Sequence, residues 1–149
     1  ELEKTAATIG ADCPFFIRNT PVFASGTGNI FEPVQLSLQG YYFCLIKPDV
    51  AVSTPEAYSL VTPTVPAISL KEIINKPVTE WKDWMVNDFE KSVFSKYPVV
   101  GQIKESLYQA GAVYASMSGS GSSVFGLFKT PTQLKDKFTN CFVWEGQLP

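Results

Sequence analysis

Hydrophobic and polar positions along the chain follow two rhythms. After Pro98, the positions Val99, Ile103, Leu107 and Ala110 recur at helical spacing, and Gly111 closes the run. Trp81, Met85, Phe89 and Val93 repeat every four residues and predict a helix following Thr79. Ser69-Leu70-Lys71-Glu72 has the form of a capping box, in which the serine covers a free backbone N–H and the glutamate reciprocates. The helix it opens should end before Pro77. Thr130-Pro131-Thr132-Gln133 has the same form, with proline at the first helical position, and predicts a helix through about Phe138. Ser53-Thr54-Pro55-Glu56 starts a shorter one. Continuous apolar runs read as strands: 41–47, aromatic and stopped by Pro48, then 112–117, 123–128 and 141–145.

The first forty residues are built differently. Glu1 to Gly10 reads as the tail of a helix already under way, with Gly10 in the C′ position, so the chain is expected to be a piece of a longer protein. Ala11-Asp12-Cys13-Pro14 and the apolar run Phe15-Phe16-Ile17 follow. Residues 22–25 and 30–34 then flank Gly26-Thr27-Gly28-Asn29, which predicts a hairpin. The half-polar stretch from Gln35 to Gly40 serves as a connection and places a boundary near residue 38. From residue 41 the order is strand, helices, strand, strand, helix, strand, within a domain placed at 39–149. That is the α+β, ferredoxin-like split βαβ arrangement, with helices on one face of an antiparallel sheet.

Composition narrows the function classes. At 149 residues the chain can bury roughly 70% of its unfolded surface, enough for a core without staples. Twelve basic against fourteen acidic residues leave a net charge of −2, which argues against nucleic acid or an anionic membrane as partner. No apolar run approaches the ~20 residues of a membrane span. No signal peptide opens the chain, and it does not start with Met. There is no histidine, which removes Ser-His-Asp and Cys-His catalysis and histidine-based zinc sites. Cys13, Cys44 and Cys141 are odd in number and far apart, with no CxxC pair; they read as structural thiols of a reducing, cytoplasmic compartment, and no metal site is expected.

Two features could carry chemistry. Ser118-Gly119-Ser120-Gly121-Ser122-Ser123 places six small residues between two strands, more than a hairpin turn requires. The run is either a flexible hairpin tip or a place where backbone approaches a ligand or another glycine loop closely. Asp12, between a helix end and Pro14, is either a local Asx turn or a positioned carboxylate acting as general base. Neither Gly26–Phe31 nor Gly119–Val124 completes G-x-G-x-x-G, and no GK[ST] loop occurs.

Together with Lys47-Pro48-Asp49-Val50-Ala51-Val52-Ser53-Thr54-Pro55-Glu56-Ala57-Tyr58, these features resemble the GHMP family of small-molecule kinases. Gly10-Ala11-Asp12-Cys13-Pro14-Phe15-Phe16 is similar to a G-A-D-V-P-F-F segment of that family, and Asn87-Asp88-Phe89-Glu90 to its N-D-L-E helix. Gly111-Ala112 with Met117–Gly121 resembles the third GHMP motif. The branch concerned phosphorylates the 2-hydroxyl of a cytidine-diphosphate conjugate in non-mevalonate isoprenoid biosynthesis.

The resemblance implies that residues 1–38 end an N-terminal kinase lobe and 39–149 form a GHMP C-terminal domain. It implies Asp12 as the catalytic base, Tyr58 as the cytosine-stacking ring beside Thr54 in the substrate site, and Ser118, Gly119, Ser120 and Gly121 as a loop lining the pocket. Tyr58 could equally be an ordinary half-buried helix residue. ATP and Mg2+ are implied as cofactors, held mainly by a preceding half, because no P-x-x-x-G-L-G-G-G-S-S-D-A-type loop occurs in these residues. The chain alone is therefore expected to be inactive, and its hairpin edges to favour self-association or disorder before residue 35. Another GHMP kinase, or a non-catalytic ferredoxin-like binding module, remain the alternatives.

Overall fold

The computed structural model describes residues 1–59, 61–62 and 64–149. Two short helices open it, α1 (Leu2–Ile9) and α2 (Cys13–Arg18), followed by an antiparallel hairpin of β1 (Val22–Ser25) and β2 (Ile30–Pro33). Pro14 sits in the first turn of α2, where its missing N–H costs nothing, and Asp12 is the residue before the helix. Asn19 ends α2 in the left-handed region at φ +48°, a conformation asparagine tolerates better than most residues. The sequence left α2 unassigned. Gly10 also departs from expectation: its φ of −175° is extended backbone that any residue adopts, so it is no left-handed C′ cap.

The second sheet has four strands: β3 (Tyr42–Pro48), β4 (Tyr114–Met117), β5 (Val124–Phe128) and β6 (Cys141–Gln147). Their spatial order is β4-β5-β3-β6 with every pair antiparallel, the split βαβ order expected. Tyr42 opposes Phe128, and Ile46 opposes Val124. One face carries Cys44, Ile46, Ala115, Met117, Val124 and Phe128 against the helices α5 (Glu90–Lys96) and α6 (Pro98–Gln109), which contribute Val93, Val100, Ile103 and Leu107. Val99 lies outside this stripe and is exposed; Val100 takes its place. Gly111, at φ +98°, ends the helical segment as expected.

The helices were expected on one face only, and the structure corrects this. The opposite face is partly covered by Ile73 and Trp81, which pack on Tyr114 and Leu127. Ile73 comes from α4 (Leu70–Ile73) and Trp81 from a 3-10 turn at Val78–Asp83. Every residue of β4 is buried as a result. The capping serine of α4 behaves as expected, Ser69 Oγ accepting from Lys71 N at 3.2 Å, but the helix is only one turn long.

One expected helix is broken and another is absent. The four-residue repeat from Trp81 to Val93 breaks between residues 84 and 89, where Asn87 turns its side chain to backbone partners elsewhere. After β5, residues 131–134 are not helical and only a 3-10 turn at Lys135–Lys137 forms. There the Glu145 carboxylate, from the neighbouring β6, accepts both the Thr132 hydroxyl at 2.5 Å and Leu134 N at 3.0 Å. A tertiary acceptor has replaced the helical one.

Cys44 is buried and Cys141 half-buried, so the structural reading of the thiols holds best for Cys44. Burial pushes the Cys44 thiol up to about 12, and the nearby Glu145 charge adds to the shift.

Candidate functional site

The small-residue run between β4 and β5 is not a free hairpin tip. Ser118 N donates to Ser123 O at 2.8 Å, and Gly121 N to Ser118 O at 3.0 Å, closing the turn. Gly119 and Gly121 have φ of +55° and +94°, where a side chain is strained; a Cβ on Gly121 would also meet Met117 Sδ at 2.9 Å. Ser122 Oγ donates to Val50 O at 2.5 Å, tying the loop to the segment after β3.

Two side chains of the Asn87-Asp88-Phe89-Glu90 stretch hold the loop from beneath. Asn87 Nδ2 donates to Met117 O and to Gly119 O, each at 2.8 Å, while its Oδ1 accepts from Phe89 N at 3.0 Å. Glu90 is buried, and its Oε1 accepts from Met117 N at 2.8 Å and from the Ser116 hydroxyl at 3.2 Å. Lys104 Nζ, 2.5 Å from Glu90 Oε2, supplies the countercharge that a buried carboxylate needs. The sequence marked this stretch as similar to a family helix but assigned it no role. The signal was present: an Asn-Asp pair interrupting an apolar four-residue repeat.

Beside the loop stands α3 (Thr54–Ser59). Thr54 Oγ1 lies 3.3 Å from Ser120 Oγ, which joins two of the residues singled out from sequence. Tyr58 is 65% exposed and packs edge-on against Phe89, with ring centroids 4.9 Å apart. Its ring is thus presented to solvent and steadied from one side. Glu56, between them on α3, pairs with Lys96 and accepts from Tyr97 OH at 3.1 Å. Its hydrogen bond to Lys96 holds its carboxyl below the usual range, and the same pairing raises the Lys96 ammonium.

Asp12 lies in a different part of the molecule. Its carboxylate is exposed, and no side chain among the described residues hydrogen-bonds to it. It faces a cleft of about 350 Å³ with Phe15, Phe31 and Gly28. Gly28, at φ +89° in the hairpin turn, allows this approach: a Cβ there would sit 2.8 Å from Asp12 Oδ1. A larger apolar cleft of about 710 Å³ separates the hairpin from the four-stranded sheet. Phe15 lines both clefts, and Asn87 and Ser116 line the larger one. The structure therefore brings together Thr54, Tyr58 and the Ser118–Gly121 loop, while Asp12 lines a separate, smaller cleft beside the hairpin. Among the described residues no group of three or more histidine, cysteine or acidic side chains converges as a metal site.

Residues 69–142 match the family model for the GHMP kinases C terminal. The chain carries a GHMP kinase C-terminal domain. The matched span runs from the Ser69 cap of α4 into β6 and so includes Asn87, Glu90 and the small-residue loop of this GHMP domain. The chain is 71% identical, over 99% of its length, to the 4-diphosphocytidyl-2-C-methyl-D-erythritol kinase of Parabacteroides distasonis, and 58% identical to the kinase of the same name from Bacteroides thetaiotaomicron. Both matches cover 55% of the relative, so the chain spans about half the length of these curated relatives. A crystal structure of 4-(cytidine 5'-diphospho)-2C-methyl-D-erythritol kinase superposes with a TM-score of 0.82 at 26% identity, covering 98% of this chain and 56% of the other. The likeness extends to residues 1–38, outside the family model.

Proposed function

We propose that the chain is part of an ATP-dependent GHMP kinase that phosphorylates the 2-hydroxyl of 4-diphosphocytidyl-2-C-methyl-D-erythritol, a step of non-mevalonate isoprenoid synthesis in the cytoplasm. The observation that carries this reading is the 71% identity to a kinase of that name along 99% of the chain. In this reading residues 1–38 end the N-terminal lobe and 39–149 are the C-terminal domain. The substrate hydroxyl oxygen forms a bond to the γ-phosphorus, the bond from that phosphorus to the β,γ-bridging oxygen breaks, ADP departs, and the proton passes to Asp12. An exposed carboxylate with no competing donor suits that task. Tyr58 stacks on the cytosine, with Thr54 beside it, and the Ser118–Gly121 loop lines the pocket. Mg2+ accompanies ATP, both held mainly by a preceding half of the enzyme, and no residue of this chain is assigned to the ion.

The test uses the protein encoded by the complete reading frame that contains this chain, supplied with ATP, Mg2+ and the cytidine conjugate. Asp12→Asn should lower kcat by roughly 10²–10⁴-fold with an unchanged melting temperature, because the side chain is exposed and unpaired. Wild-type turnover in that variant removes Asp12 from the chemistry. Failure to phosphorylate the conjugate, with transfer to another alcohol, reassigns the substrate within the family. The 149-residue chain by itself should neither bind ATP tightly nor turn over, and its exposed Leu2, Ile9 and Phe16 should drive self-association, readable as concentration-dependent sedimentation.

A further inference from the structure

The bonds made by Asn87 do more than interrupt an apolar repeat. Its single amide nitrogen reaches the carbonyls of Met117 and Gly119, which flank Ser118, at equal distances of 2.8 Å. Two acceptors two residues apart, held on one nitrogen, restrict the backbone angles of Ser118 and Gly119 together. Gly119 adopts φ +55° under that restraint. Glu90 fixes the preceding residue through Met117 N, so the root of the loop is held by an acceptor and its rise by a donor. The chain gives up helical hydrogen bonding across residues 84–89 to place Asn87 there, although the apolar repeat favours a continuous helix. Asn87 also lines the interlobe cleft, on the wall where the loop begins.

We propose that Asn87 is a positioning residue: its carboxamide sets the conformation of the Ser118–Gly121 loop, and through it the place of Ser120 against Thr54, so that the loop is presented preformed to the phosphoryl acceptor. The kinetic part of this inference rests on the kinase reading; the clamp itself does not. An isosteric change separates the two jobs of the side chain. Asn87→Asp keeps an oxygen to accept from Phe89 N, a local turn that aspartate forms as readily as asparagine, but it has no proton to give the two carbonyls.

Amide hydrogen exchange on the 149-residue chain reads the clamp directly. In Asn87→Asp, Ser118 N–H and Gly121 N–H should exchange roughly ten-fold faster or more, while amides of β3 are unchanged, as expected when two hydrogen bonds beneath a loop are lost. If Asn87→Asp does not fold, Asn87→Ser carries the same test without introducing charge, its hydroxyl still able to accept from Phe89 N but too short to bridge both carbonyls. Unchanged loop exchange in the folded variants overturns the clamp. In the complete kinase, Asn87→Asp should raise KM for the cytidine conjugate several-fold. A fall in kcat that tracks the folded fraction at constant KM would mean a purely structural role and overturns the proposal. Absence of kinase activity in the unsubstituted protein sinks the kinase reading, and the exchange result then still decides the clamp.

Discussion

Residues 1–38 and residues 39–149 have very different interiors. Before residue 39 only Ala6 and Pro14 are buried among the described residues, and Leu2, Ile9, Phe16, Ile17 and Ile30 are exposed. After it, Ile46, Leu107, Leu127 and Phe128 are almost wholly removed from water. Apart from Leu36 and Leu38, which pack on the sheet, the first region leans on polar ties: Arg18 to Glu3 at 2.9 Å within it, and Lys71 to Glu32 at 2.6 Å across to α4. Half-exposed ion pairs of this kind contribute little each, whereas a packed sheet face supplies most of a domain's stability. The difference teaches that the candidate base and the candidate loop sit on supports of unequal stiffness. Asp12 is placed by two short helices and a hairpin turn; the loop is placed by strands on a core.

The largest test of this contrast compares two phenylalanines. Phe128→Ala should destabilise the chain by about 3–5 kcal/mol, and Phe16→Ser by under ~0.5 kcal/mol, because only the first leaves a cavity. Equal losses in urea unfolding would mean that the two regions share one core. Next in size is Gly28→Ala, which forces a left-handed backbone on alanine and crowds Asp12 Oδ1. It should cost about 1–2 kcal/mol locally, seen as faster exchange across β1 and β2 with β3 unaffected.

A smaller effect separates the regions by pH. Burial raises the Cys44 thiol from 9.0 and the Tyr114 hydroxyl from 10.0, each to about 12. Both groups are neutral when protonated, so the folded state holds its protons more tightly than the unfolded state does. Their contribution is complete below pH 9 and is lost as pH rises from 9 toward 12. Urea midpoints at pH 8 and pH 11 should show this fall, and Cys44→Ala should flatten part of it. Both groups lie in the four-stranded sheet, Cys44 on β3 and Tyr114 on β4, so the protection of hairpin amides should not follow the same curve. The smallest expected change is Lys71→Ala. It removes the ion pair to Glu32 and the ammonium 4.7 Å from the centre of the Phe23 ring, and should cost under ~1 kcal/mol while loosening the hairpin against α4.

Most of the sheet was legible in the sequence because its strands are short apolar runs bounded by glycine or proline, and α6 because its periodicity is long and capped. The misreadings fall where a side chain bonds to something distant in sequence. The repeat from Trp81 to Val93 is helical in pattern, yet Asn87 is committed to carbonyls thirty or more residues away. Thr130 to Gln133 has the form of a helix start, yet Glu145 takes the donors a helix would use. Helix α2 was missed for a local reason, its length of six residues giving periodicity nothing to register. At the candidate site, the juxtaposition of Thr54 with Ser120 required the fold, since sixty-six positions separate them.

The Glu145 carboxylate has one more consequence. Because it gathers the return path from β5 to β6 around a single acceptor, the intervening stretch is constrained at Thr132 and Leu134, and at Phe138 where that ring packs on the core, and less at its exposed positions. Exposed Lys129, Lys135 and Lys137 ride on that stretch without partners of their own among the described residues. An engineer seeking a place to insert a tag or a fluorophore attachment point would find one there, on the outer rim and away from the cleft, so long as the acid at the strand remained.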